Sequence, residues 1–231
     1  MNKLILKSIL GLAILHFAGC ASYHPQAVDI PLIKEKGDMR INAGASVYHD
    51  LSNSTFMGLH GTFSGGITDF LAVQTYLNLD GLLGCHWQGA LGIFKGLENN
   101  VVMELYGGGG FCRGLFDNEE EKMNQYQFVF SQFNIGKTNV GNSNLDFGLG
   151  LKGAFLNNRE NYHIELIDTY KVHKKYCWTI EPSAFLRFGG NRAKFNTMIN
   201  YLWTDNVAKS YYFPLGISFG VNFKLGKKGV T

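Results

Sequence analysis

A chain of 231 residues with a formal net charge of +3 has no cationic surplus for nucleic acid, since Lys3 and Lys7 alone supply two of those units. Charged residues make up 17%, below the roughly one quarter usual in soluble domains, while glycine (29) far outnumbers proline (4) and aromatics reach 14%. This balance excludes a polybasic membrane-surface protein and points to a glycine-rich, all-β chain.

The first element is an apolar run from Leu4 to Cys20, preceded by Lys3 and interrupted by Lys7 and His16. It falls short of the roughly 20 apolar residues that a helical span needs. Its charged start and small-residue close give it the layout of a secretory signal. Phe17-Ala18-Gly19-Cys20 resembles the bacterial lipoprotein box. That resemblance implies a signal peptide over 1–19, a covalent lipid of the palmitate class on Cys20, and no other cofactor. Ala21 follows without an acidic run, which by the same resemblance implies sorting to the outer membrane. Cys85, Cys112 and Cys177 remain, so at most one disulfide forms among them within one chain.

Residues 20–37 read as a lipidated periplasmic linker. From 38 to 225 the chain returns repeatedly to period-two alternation, the signature of strands with two unlike faces. Phe213, Leu215, Ile217, Phe219, Val221, Phe223 and Leu225 alternate with Gly216, Ser218, Gly220, Asn222 and Lys224. About ten such runs fall near 38–48, 55–65, 70–80, 85–95, 100–112, 123–136, 144–156, 177–189, 192–203 and 212–225. Most hold 10 to 13 residues, longer than the roughly 5–6 of soluble strands and close to tilted membrane-spanning ones.

Composition decides which face is wet. The polar face carries Gly, Ser, Asn and Gln with isolated charges of both signs: Arg40, Glu104, Asp146, Lys152, Glu181, Arg187, Lys194 and Lys224. Small polar groups and opposed charges suit a confined lumen, so the apolar face points to lipid. Loop lengths agree. Short turns follow even runs, and long segments such as 113–122 and 157–176 follow odd ones. The reading is an up-and-down antiparallel transmembrane barrel with both barrel termini periplasmic and the lipid of Cys20 in the inner leaflet. Residues 226–231 form a tail.

One hairpin can be registered from sequence. A two-residue turn at Gly190-Asn191 pairs Gly189 with Arg192, Leu186 with Phe195 and Trp178 with Trp203. With Trp87, these tryptophans form the expected aromatic girdle. Arg187 then faces Lys194, a like-charge pair that needs an acidic neighbour or water, and Glu181, Glu104 or Asp146 is expected to help neutralise it. Pro182 falls mid-strand, where a bulge is expected. Gly107 to Gly110 imply a bulge or close interior packing. Cys85 and Cys112 have opposite parity, so their pairing would need that bulge.

Ser218-Phe219-Gly220-Val221-Asn222-Phe223-Lys224-Leu225 resembles the C-terminal signal read by barrel-assembly machinery, on Ser218, Gly220, Phe223 and Leu225. It departs in having Gly226 to Thr231 behind it. Cys20-Ala21-Ser22-Tyr23-His24-Pro25 and Pro31-Leu32 through Asp38 are similar to the start of small outer-membrane β-barrel lipoproteins of Bacteroidota. Gln132-Phe133-Asn134-Ile135-Gly136 and Glu181-Pro182 with Arg187-Phe188-Gly189 also resemble that group. The group transfers no activity beyond lipidation of Cys20.

Catalytic signals are weak. His60, His86, Ser64, Glu104 and Asp146 share the lumen face without a nucleophile-elbow motif. His163, His173, Asp168, Glu165 and Cys177 lack metal-ligand spacing, so no metal and no catalytic residue is expected. The sequence therefore reads as a non-catalytic outer-membrane barrel lipoprotein with an envelope structural or surface-interaction role. Its expected partners are outer-membrane lipids and the barrel-assembly and lipoprotein-sorting machineries, with no nucleic acid. A narrow solute channel, an envelope-acting barrel enzyme and a tethered soluble binder are the rival readings.

Overall fold

The computed structural model describes residues 29–49, 55–80, 84–114, 125–142, 144–164, 169–204 and 215–225. The expected leader 1–19, Cys20, the tail 226–231 and most of the loops expected at 113–122 and 204–211 lie outside them.

Ten antiparallel strands follow one another around a closed barrel. They are β1 (Met39–His49), β2 (Thr55–Gly66), β3 (Leu71–Asp80), β4 (Gly84–Gly96) and β5 (Val101–Gly114). β6 (Gln125–Lys137), β7 (Leu145–Ile164), β8 (Thr169–Gly189), β9 (Ala193–Tyr201, resuming at Trp203–Thr204) and β10 (Leu215–Lys224) complete it. Closure comes from β10 pairing with β1, Arg40 opposite Lys224 through His49 opposite Leu215. With no unpaired edge, every strand satisfies its ladder on both sides.

The alternation has a direct physical outcome. In β1, Arg40, Asn42, Ser46 and Tyr48 are buried inside, while Met39 and Ile41 face out. The same parity runs around the barrel. Leu59 and Leu91 are 66% and 67% exposed, and every strand carries exposed large apolar side chains on its outer face. Trp178 and Trp203 stack edge to face outside at 4.9 Å, and Trp87 lies 5.8 Å from Phe111. Toward the other rim, Phe188 and Phe195 meet at 5.2 Å.

The short turns owe their shape to particular residues. Thr68 Oγ1 accepts the backbone N–H of Phe70 and of Leu71, closing β2 to β3. Asn99 and Asn100 (φ 58° and 63°) take the left-handed conformation that asparagine tolerates between β4 and β5.

Three features differ from expectation. The β8–β9 tip is Asn191-Arg192, with Gly190 N–H donating to the Ala193 carbonyl at 2.8 Å. Gly189 therefore pairs with Lys194, and Leu186 with Thr197, two places from the sequence-derived register. A turn centred one residue later shifts every pair by two, so the faces stay as expected. Arg187 meets Asn196 rather than Lys194.

Second, most of the loop expected at 157–176 is a two-stranded ribbon of 157–164 with 169–176: Asn157 pairs with Tyr176 and onward to Ile164 with Thr169. Its residues are too polar to alternate clearly, but Tyr162, Ile164, Thr169, Tyr170 and Val172 favour strand. Third, the bulge expected at Pro182 is absent. Pro182 interrupts the ladder between Tyr201 and Trp203 while the register is the same on both sides.

The glycine run keeps an unbroken register from Gly84–Gly114 to Gly96–Val102. A side chain at Gly110 would meet Phe128 Cζ at 2.6 Å, so the run serves close interior packing. Cys112 is buried opposite His86, and Cys85 sits opposite Arg113, so the two cysteines occupy opposite faces.

Candidate functional site

The lumen is the candidate site, and its central feature is a segment that sequence reading assigned to the periplasmic linker. Asp29, Ile30, Leu32 and Ile33 are all buried inside the barrel. The chain runs from Asp29 down to Lys34, whose amine reaches Asn100 Oδ1 in the β4–β5 turn at 3.1 Å. It then turns through Gly37 into β1. Gly37 N–H donates to the Gly66 carbonyl, and Gly66 N–H to the Asp38 carbonyl, both at 2.9 Å. We call residues 29–34 the plug.

Asp29 binds four strands at once. Its Oδ1 accepts Arg187 Nη2 at 3.2 Å, and its Oδ2 accepts Thr62 Oγ1 at 2.8 Å and Ser64 Oγ at 3.5 Å. Its carbonyl accepts Gln74 Nε2 at 2.7 Å and Gln132 Nε2 at 3.1 Å. Arg187 Nη2 also donates to the Ile30 carbonyl at 2.6 Å, while its Nε reaches Asn196 Oδ1. Lower down, Ile33 N–H donates to Glu104 Oε1 at 2.7 Å, and Asn134 holds the other oxygen. A buried charge needs a partner, and the lumen of this barrel finds several of them in the plug.

The apolar plug side chains sit on glycines. A Cβ at Gly150 would meet Ile30 Cδ1 at 2.9 Å, one at Gly136 would meet Leu32 Cδ2 at 2.8 Å, and one at Gly66 would meet Ile33 Cγ2 at 3.0 Å. Three inward-facing positions that lack side chains thus make room for three that the plug supplies.

The eight expected lumen charges all lie inside or at the mouth, where several ion pairs engage them. Lys194 contacts Asp146 at 2.6 Å, and Lys152 lies 3.9 Å from Glu181. Asp38 lies 3.7 Å from Arg40 and 3.5 Å from Lys224. Lys152 also donates to Gln88 and sits over the rings of Phe128 and Phe130 at 5.1 and 4.9 Å. Beyond it, toward the long-loop end, aromatic rings fill the lumen: His86 stacks on Phe128 at 5.1 Å and meets Tyr76 edge-on at 5.7 Å.

No protein-family model and no curated protein matches this sequence. Among solved structures, it is similar to the outer membrane protein OprG from Pseudomonas aeruginosa. That match has 12% identity and a TM-score of 0.43, covering 84% of this chain and 98% of that one. It is also similar to Ail, the attachment invasion locus protein of Yersinia pestis, at 10% identity and a TM-score of 0.28, covering 82% and 99%. Likeness at this level transfers no function.

The residues weighed for hydrolysis are dispersed. Ser64 is held by Asp29, Glu104 by Ile33 and Asn134, and Asp146 by Lys194. His60 Nδ1 lies 2.8 Å from Ser46 Oγ, and His86 Nδ1 lies 3.0 Å from the Tyr126 hydroxyl. No cluster of three metal-ligating side chains occurs among the described residues. Ser218 and Gly220 of the expected assembly signal face inward, while Phe223 and Leu225 face out.

Sequence reading missed Asp29, Ile30, Leu32, Ile33 and Asp38. The available signal was an apolar cluster carrying one carboxylate inside a stretch otherwise read as tether.

Proposed function

We propose that this chain is a non-catalytic integral protein of the bacterial outer membrane whose barrel is closed by its own N-terminal segment. Its long-loop end, extended by the β7–β8 ribbon, is then the surface offered to partners. An encircling band of exposed apolar side chains on all ten strands supports the membrane placement. A soluble monomer rarely exposes a contiguous apolar patch beyond a few hundred Å². The tryptophan and phenylalanine girdles mark the two interfaces.

The observation that carries the reading is the buried plug on its glycine seats. The lumen glycines that would widen a channel accommodate Ile30, Leu32 and Ile33. Lipidation of Cys20 belongs to the same proposal. Eight residues separate Cys20 from Asp29, an extended reach of about 30 Å. Ten membrane strands already retain the protein, so the lipid's work is to confine the plug near its seat and to route the chain during biogenesis.

Planar-bilayer recording of the purified full chain tests the sealing. Wild type is expected to stay silent, with current steps only in plug variants. Steady wild-type steps that respond to Arg40 or Glu104 substitution would instead establish the narrow channel.

A further inference from the structure

Beneath the plug, at the short-turn mouth, the barrel keeps a cavity of about 260 Å³. Five cationic side chains line it: Lys34 from the plug, Arg40 from β1, Arg192 from the β8–β9 tip, Lys194 from β9 and Lys224 from β10. Two carboxylates stand against them. Asp146 lines the wall and is engaged by Lys194 and by the Asn139 N–H at 3.0 Å. Asp38 is shared between Arg40 and Lys224. Positive charge is in surplus.

A second observation comes from hydrogen bonding. Among the described residues, Arg40 Nε, Thr138 Oγ1 and Asn222 Nδ2 are buried with no hydrogen-bond partner, and all three residues line this cavity. Arg40 is 5% exposed, Thr138 and Asn222 3% each. Buried donors left unmade cost free energy, and a native site that collects several of them needs a reason. Burial, and after it the charges of Arg40 and Lys224, hold the Lys34 amine below its usual pKa against the opposing pull of Asp146 and Asp38.

Several donors from separate strands around surplus positive charge match a tetrahedral anion of charge near two better than a planar carboxylate. We propose that the short-turn mouth is a binding site for a phosphate-class oxyanion, held by Arg40, Thr138 and Asn222 within the field of Lys34, Arg192 and Lys224. The cavity exceeds a bare phosphate ion, so a phosphate monoester of like charge, or more weakly a singly charged headgroup phosphodiester, fits the same tetrahedral oxyanion chemistry. The site is independent of conduction, because it lies outside the seal made by Asp29 to Ile33.

Titration calorimetry on the full chain in uncharged detergent tests this, with inorganic phosphate in one arm and glycerophosphoglycerol, an anionic headgroup phosphodiester, in the other. Phosphate is expected to bind, more weakly as salt is raised. Arg40→Gln should weaken it by about tenfold or more, the worth of one charge-assisted hydrogen bond. The tip variant Arg192→Gln, which leaves the ladder untouched, should weaken it severalfold while heat-modifiable migration is kept. Binding confined to the phosphodiester supports the site and assigns it to lipid headgroups; phosphate binding assigns it to a free anion. No heat in either arm at about 1 mM, or affinity unchanged in both variants, overturns the proposal.

Discussion

Asp29→Ala is expected to expel the plug from the barrel at a cost of about 3–5 kcal/mol, the usual penalty for removing one partner of a buried ion pair. The substitution strands the buried Arg187 guanidinium and takes acceptors from Thr62 and Ser64. Asp29 belongs to no strand, so the ladder itself should survive. Limited proteolysis between residues 29 and 38 should become fast, while heat-modifiable migration persists. Adding Arg187→Leu should recover part of the loss, since no unpaired charge then remains. Equal protease resistance in wild type and Asp29→Ala would show that the ion pair does not hold the plug.

The second large effect lies in the glycine run. Gly108→Val is expected to block barrel assembly, whereas its neighbour Gly107→Val should assemble normally. A side chain at Gly108 would collide with the Gly89 carbonyl and lie 2.8 Å from Ala90 Cα, backbone that cannot retreat without breaking the β4–β5 ladder. Gly107 points to open space with nothing within 4 Å. Overpacking against side chains costs about 1–3 kcal/mol, and against backbone more. Folded yield by heat-modifiable migration and urea midpoints of the two variants measure the difference. Equal yields would mean that the interior at Gly108 is looser than these contacts require.

Legibility in the sequence differs from element to element because each depends on different residues. Side-chain parity separates the two faces, and the small, polar, oppositely charged composition of one of them then places Arg40, Glu104, Lys152 and Arg187 inside the barrel. Strand order follows from turn lengths and closure. Register depends on which two residues occupy a tip, and Gly190-Asn191 and Asn191-Arg192 are too alike in composition to separate. The β7–β8 ribbon was missed because residues 157–164 and 169–176 are rich in Asn, Lys, Arg and His, which dilutes the alternation.

The candidate site was half legible for a further reason. Lumen charges could be recognised one by one, but the partner of Arg187, Asp29, lies on a segment with no strand pattern, interrupted by Pro31, and Asp38, which meets Arg40 and Lys224, stands at the very edge of the first run. Nothing local in Asp29 or Ile30 distinguishes a tether from a plug. Only the missing side chains at Gly66, Gly136 and Gly150 record that something else fills that volume.

Occupation of the lumen by residues 29–33 in the folded protein underlies the seal, the ion pairs and the glycine seats alike. Methyl-labelled NMR of the full chain in detergent micelles measures it directly. The Ile30 δ1-methyl should give a nuclear Overhauser contact to the Gly150 α-protons, and the Leu32 methyls one to Gly136. Ile30 and Leu32 methyls that contact only solvent or detergent would contradict it.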